Sequence, residues 1–148
     1  MLYEKKVFLG GTCNGTTWRD DLIQYLKIDY FNPVVKDWTS ECQENEYKEK
    51  EICMIHYYHI TSEMKGVFSI AEVIDSVHNK NKITILCVDP TGFEESELKS
   101  LRAVIDLVKK REGHGYFETD IRTSAEILNS IHRLDQYKRI KTQLEENE

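Results

Sequence analysis

Ile83-Thr84-Ile85-Leu86-Cys87-Val88 contains no charged side chain and a single hydroxyl. A strand with one wet face alternates apolar and polar residues. A run with almost no alternation reads as a strand covered on both sides, as in parallel sheets flanked by helices. Just upstream, Val67, Ile70, Ala71, Ile74 and Val77 recur at helical spacing and form one apolar stripe. Before that stripe, Ile52 to Ile60 is rich in β-branched and aromatic residues and reads as a central strand.

The same alternation continues outward. Toward the carboxyl end, Leu98, Leu101, Ile105 and Val108 mark a helix that ends near Gly113. Tyr116-Phe117 reads as an edge strand, and Thr123-x-x-Glu126 opens a helix carrying Ile127, Leu128, Ile131 and Leu134. Toward the amino end, Lys6-Val7-Phe8-Leu9 is a strand stopped by Gly10-Gly11. Thr16-Thr17 precedes a helix with Trp18, Leu22, Ile23, Tyr25 and Leu26 on one face. Ile28 to Phe31 is a second short strand closed by Asn32-Pro33. Val34 to Thr39 reads as a loop, and Ser40-x-x-Gln43 boxes the start of a polar helix running to about Glu51. Strand and helix thus alternate about five times, which predicts an α/β fold with a parallel sheet wound by helices on both sides. The 148 residues suffice for one domain, expected over 1–134, with 135–148 as a charged helical tail.

Composition removes several classes of function. Lys plus Arg number 20 against 26 Asp plus Glu, a formal charge of −6. That balance argues against a nucleic-acid polymer as partner, because tracking phosphates needs a basic stripe. The longest nearly uncharged run, Ile52 to Ser62, is far short of the ~20 residues that span a bilayer, so no membrane partner is expected. The charged start Met1-Leu2-Tyr3-Glu4-Lys5-Lys6 lacks a following apolar segment and does not read as a signal peptide. Cys13, Cys42, Cys53 and Cys87 form no C-x-x-C pair, which disfavours zinc and fits reduced thiols in a cytoplasmic protein. Neither metal nor cofactor is expected.

In parallel α/β sheets, ligands sit beyond the carboxyl ends of the strands, so the informative residues should follow Leu9, Phe31, Ile60 and Val88. The loop Gly10-Gly11-Thr12-Cys13-Asn14-Gly15-Thr16-Thr17 joins a strand to a helix. It is either a backbone cradle for an anion or a tight turn capped by Thr17. Lacking Gly-Lys-Ser/Thr and G-x-G-x-x-G, it supports neither nucleoside triphosphates nor dinucleotides. Cys13 in this loop is either a nucleophile near a helix start or, having no identifiable partner base, a plain small residue. Glu72, at the start of the helix after the central strand, has two readings. The helix dipole would favour its ionised form, as a nucleophile at a sugar carbon requires, or Ser69-x-x-Glu72 is simply a capping box. Glu46 and Glu49 share a helix face, and either a solvated charged surface or a second acid facing Glu72 would account for them. His56 and His59, three apart on a strand, point to opposite faces and are not a chelate pair. Trp18, Phe31 and Trp38 border the expected cleft and could stack on a base, Trp18 equally being core. Asp89-Pro90 ends a buried strand and either holds ligand or turns the chain.

Val7-Phe8-Leu9-Gly10-Gly11-Thr12, Thr17-Trp18-Arg19-Asp20, Phe31-Asn32-Pro33 and the run from Met64 through Gly66-Val67-Phe68-Ser69-Ile70-Ala71-Glu72 together resemble the nucleoside 2-deoxyribosyltransferase family, most closely its compact branch. The likeness spans about residues 5–110. It implies a flavodoxin/Rossmann-like three-layer sandwich with a five-stranded parallel sheet, and cleavage of the N-glycosidic bond of a (deoxy)nucleoside or its monophosphate. By the same likeness, Glu72 attacks the anomeric carbon to form a glycosyl ester, and another base or water then takes the sugar. Glu46 holds the sugar or moves a proton. Gly10, Gly11, Thr12 and Asn14 line the sugar or 5′ side, and Trp18, Asn32, Trp38, Gly66 and Ser69 complete the substrate site. A homo-oligomer is also implied. The sequence departs from the family where an aspartate shortly before the nucleophile often helps bind the base. Here the stretch is Lys65-Gly66-Val67-Phe68, with Glu63 the nearby acid. That departure leaves room for a binding module that senses or sequesters a nucleotide-like metabolite without turning it over.

Overall fold

The computed structural model describes residues 3–13 and 15–131. Five strands, β1 (Glu4–Gly11), β2 (Asp29–Phe31), β3 (Cys53–Ile60), β4 (Ile83–Val88) and β5 (His114–Phe117), form one sheet in the order β2-β1-β3-β4-β5. Every neighbouring pair is parallel. The helices are α1 (Trp18–Ile23), α2 (Ser40–Ile52), α3 (Phe68–His78), α4 (Glu95–Lys110) and α5 over 121–131. The protein is a three-layer α/β sandwich of the flavodoxin/Rossmann-like kind.

The order explains the layering. The chain steps one way from β1 to β2 and the other way at every later crossover. Right-handed crossovers therefore place α1 on one face and α2, α3 and α4 on the other. The strands divide their side chains accordingly. Val7, Leu9, Ile55, Tyr57, Ile85 and Cys87 pack with Trp18 and Leu22 of α1 and with Ala125, Leu128 and Ile131 of α5. Tyr58, Ile60, Leu86 and Val88 pack with Val73 and Val77 of α3 and with Leu101, Ile105 and Val108 of α4. Asn129 ties α5 to the end of α1, accepting from Lys27 N at 2.7 Å and donating to Tyr25 O at 2.9 Å. The near-continuous apolar run of β4 is buried because it meets both layers.

Helix starts differ from the sequence expectation in four places. Thr17 does not cap α1; its hydroxyl donates to Asp21 Oδ2 at 3.1 Å. α2 is capped by Thr39, which accepts from Cys42 N, and not by Ser40. α5 begins before Thr123, with Asp120 Oδ1 accepting from Arg122 N at 3.0 Å. Most consequentially, α3 starts at Phe68 from a Val67 that makes no side-chain cap. Ser69 already sits inside the helix, and a capping side chain must stand half outside it, so the Ser69-x-x-Glu72 box is not formed.

No helix among the described residues is long and apolar enough to cross a membrane. Leu134 and the segment 135–148 lie outside the described residues.

Candidate active site

The reversal of strand order falls between β1 and β3, where an open parallel sheet splays its crossovers and leaves a crevice at the carboxyl ends. Two glycines end β1 there. A Cβ on Gly10 would stand 2.6 Å from the Tyr58 ring, and one on Gly11 would stand 2.2 Å from the His59 carbonyl oxygen. Without side chains, β1 lies flat against β3 up to its last residue, and Thr12 N still donates to His59 O at 2.9 Å.

The loop beyond is pinned by buried donors. Arg19 spreads its guanidinium over three carbonyls, Leu9 O at 3.0 Å, Thr12 O at 2.9 Å and Gly11 O at 3.3 Å. Trp18 Nε1 donates to the same Thr12 O at 2.8 Å, and Thr12 Oγ1 accepts from Thr61 N. The result is a rigid corner whose outer side is open.

Against that corner lies a cavity of about 260 Å³, walled by Phe8, Gly10, Gly11, Cys13 and Arg19 from the β1 side, Pro33, Val34, Val35 and Trp38 from the loop after β2, and Glu46 and Glu72 from the facing helices. Phe8 stacks on Phe31 at 5.9 Å and stiffens the floor. Trp38 is 57% exposed at the rim and offers a flat apolar face. The molecule has larger hollows: an apolar groove of about 890 Å³ between α3 and α4, and a polar cleft of about 520 Å³ beyond β3 and β4. The small cavity is the better candidate because it holds the strand-order reversal, both carboxylates and a buried cation.

Glu72 is the fifth residue of α3, past the first turn, where the helix dipole has faded. Its charge is met instead by Lys50, whose Nζ lies 2.6 Å from Glu72 Oε2, with both side chains largely covered. Among the described residues Oε1 has no protein hydrogen bond. The carboxylate is therefore held by one oxygen while the other is uncommitted. Glu46, one turn before Lys50 on α2, faces the same cavity. Burial first, and then the charge on Glu72, push the Glu46 carboxyl above its usual range, with Lys50 and Arg19 pulling the other way. Two acids in one cavity with differently charged surroundings are the arrangement from which a nucleophile and a proton carrier are made.

The raised Glu46 value has a consequence for stability. Folding favours the protonated form. The stabilisation is complete below the ordinary carboxylate range and is lost as pH rises through the raised value. Glu46→Gln should therefore gain thermal stability relative to wild type at about pH 8 and lose that advantage near about pH 3, the acid side of an unperturbed carboxylate. A variant-to-wild-type difference in melting temperature that does not change with pH would contradict the assignment.

Of the residues singled out from sequence, the structure brings Gly10, Gly11, Cys13, Trp38, Glu46 and Glu72 to one cavity. Trp18 is 5% exposed and packed on His59 at 4.7 Å, away from that cavity. Thr12 turns its hydroxyl to Thr61, and Asn32 Oδ1 accepts from Val34 N to shape the turn. Gly66 is exposed with open space around it, and Ser69 lines no part of the cavity. Asn14 lies outside the described residues. Glu49, although on the Glu46 face, is paired with Lys6 at 2.8 Å. Lys50, Arg19, Phe8 and the Pro33–Val35 wall were not anticipated. For Lys50 the available signal was its spacing from Glu46, four residues along one helix.

The histidines do part to opposite faces. His56 meets Ser76 and the Lys50 carbonyl, whereas His59 meets the Tyr57 hydroxyl at 2.7 Å. Burial pushes both imidazoles down to about 4. Among the described residues no group of His, Cys, Asp and Glu is arranged to hold a metal ion. The four cysteines are unpaired thiols.

A sequence model of the family described as "Nucleoside 2-deoxyribosyltransferase like" matches residues 4–91, from the first residue of β1 to just beyond β4. All the residues that wall the cavity fall within that span. No curated protein matches the chain.

Proposed function

The chain belongs to the nucleoside 2-deoxyribosyltransferase-like family, and from that premise we propose that it breaks the N-glycosidic bond of (deoxy)nucleosides or their monophosphates through a glycosyl ester on Glu72. The observation that carries the proposal is the state of that side chain. It is not spent on a helix cap, it borders a cavity at the strand-order reversal, and among the described residues only one of its oxygens is engaged.

In the first step a Glu72 oxygen attacks C1′ from the face opposite the base. The C1′–N bond breaks and its electron pair leaves with the base, which takes a proton from Glu46. In the second step a base nitrogen or a water oxygen attacks C1′, the C1′–O bond breaks, and its pair returns to the Glu72 carboxylate while Glu46 recovers a proton. Two displacements at one carbon retain its configuration. An acid with a raised pKa suits the proton-donating role. Trp38 at the rim supplies a face on which a base can stack. Transfer to another base and hydrolysis differ only in the acceptor, and both belong to the proposal. So do a cytoplasmic setting, supported by the free thiols, and an oligomeric assembly, supported by the family likeness.

The test is to incubate the protein with each common 2′-deoxynucleoside and 5′-monophosphate, with and without a foreign base, and to follow exchange and base release chromatographically. Product is expected with wild type. Its absence across the panel would end the enzymatic reading. One observation favours a second reading: exposed Val67 precedes α3 and exposed Phe68 opens it, where the family resemblance leads one to expect a base-binding aspartate. A binding module of that kind would show ligand-dependent thermal stabilisation without product.

A further inference from the structure

Lys50 does more than neutralise a neighbour. Its Nζ meets Glu72 Oε2 at 2.6 Å and lies 5.7 Å from the centre of the Phe8 ring on the cavity floor. Its main-chain carbonyl is held separately, by His56 Nε2 at 2.7 Å. The other ring nitrogen of His56 meets Ser76 Oγ at 2.8 Å, and Ser76 stands one turn beyond Glu72 on α3. Ser76 Oγ in turn meets Thr84 Oγ1 of β4 at 2.7 Å. One buried side chain on β3 thus grips the backbone of the lysine and the helix of the glutamate together.

The protons in this chain can be assigned. A carbonyl only accepts, so His56 carries a hydrogen on Nε2; deep burial keeps the imidazole neutral, so its Nδ1 accepts from Ser76, and Ser76 accepts from Thr84. The ammonium of Lys50 is therefore delivered to Glu72 by a framework that does not itself change charge.

We propose that Lys50 is a positioning residue that acts through Glu72, holding Oε2 so that Oε1 faces the sugar and receiving the carboxylate charge when the glycosyl ester breaks. The inference rests on the glycosyl-ester reading above. A fixed cation beside the carboxylate has opposite effects on the two steps. It steadies the anion before attack, which does not help the first displacement. In the second, the C1′–O electron pair returns to Glu72, and the ammonium makes that carboxylate a better leaving group. Removing the cation should therefore slow ester breakdown more than ester formation.

The experiment compares wild type, Lys50→Met and Lys50→Arg on the 2′-deoxynucleoside or 5′-monophosphate that wild type cleaves fastest. It uses rapid-quench kinetics and intact-protein mass spectrometry. Lys50→Met should lose turnover on the order of 10²-fold, the usual cost of deleting a group that meets developing charge. It should also show a burst of base release and stand mainly as the glycosyl-enzyme at steady state. Lys50→Arg keeps the charge and should recover most of the rate without accumulating ester. The inference is overturned if Lys50→Met turns over like wild type, if it slows without accumulating ester, or if Lys50→Arg behaves like Lys50→Met. Each of those outcomes leaves wild type active and the glycosyl-ester reading intact. A wild type that forms neither product nor ester removes that reading, and this inference with it.

Discussion

Glu72→Gln is expected to lower base exchange and base release by about 10⁴-fold or more, because it removes the atom that bonds to C1′ and not merely a group that assists. The amide keeps the shape of the carboxylate and leaves the apolar contacts of α3 untouched. Its ion pair with Lys50 is largely covered, but the amide oxygen still accepts from the ammonium, so the stability change should stay at about 1–3 kcal/mol. Activity and folding should therefore separate cleanly. Steady-state rates with the best substrate, read beside urea unfolding of the same preparation, provide the check. Equal rates for variant and wild type would show that the carboxylate borders the cavity without attacking. A loss of rate that tracked a loss of folded protein would assign Glu72 to structure. A ligand-induced melting shift that survives the substitution would indicate that binding is independent of the attacking oxygen.

The two acids of the cavity differ because their surroundings differ. Glu72 has an ammonium at hydrogen-bond distance. Glu46 has only the more distant help of Lys50 and Arg19, and it must coexist with the Glu72 charge. Folding therefore favours a proton on Glu46. In the proposed mechanism the raised carboxyl pKa suits Glu46 to proton transfer and leaves attack to Glu72; its first cause is burial and its second the neighbouring Glu72 charge.

Much of this was legible before any coordinates. The uncharged run of β4 and the aromatic, β-branched run of β3 required burial on two faces, and that alone leads to a parallel sheet. The apolar stripe of α3 placed Glu72 beside the carboxyl end of β3. What could not be read depended on side chains that meet across long loops. Lys50 sits among Glu44, Glu46, Lys48, Glu49 and Glu51, a stretch indistinguishable from a solvated face until α2 is laid beside α3. Its partner is 22 residues away. Caps failed for a related reason. Thr39 and Ser40 both offer a hydroxyl, and Ser69 mimics a cap, yet only the path of the incoming loop decides which residue stands outside the first turn. Trp18 was ambiguous because an aromatic residue at the first position of a helix can turn outward to a ligand or inward. Here Arg19 and the Thr12 carbonyl hold it inward.

The largest structural effect is expected at Gly11. Its φ of +119° is one that side chains rarely adopt, and an added Cβ would meet three backbone atoms of His59, at 2.2 Å, 2.7 Å and 2.9 Å. A clash with a flexible side chain can be relieved by a rotation, but backbone in the middle of a sheet can yield only by pulling β1 away from β3. Gly11→Ala should therefore cost more than about 4 kcal/mol, in the range reserved for specific structural failures, and could prevent folding altogether. The comparison that isolates the cause is Gly15→Ala. It shares a positive φ, +62°, yet nothing lies within 4 Å of its added Cβ. Backbone strain alone should cost it about 1–2 kcal/mol. Urea unfolding of both variants measures the difference, and soluble yield serves where Gly11→Ala is too unstable to titrate. If the two lose similar amounts, strain is the whole story and the strands are not in contact at that point. If Gly11→Ala loses much more, the close approach of β1 to β3 is what holds the corner rigid. The cavity walls from both helices then have a fixed floor against which Glu46 and Glu72 can be set.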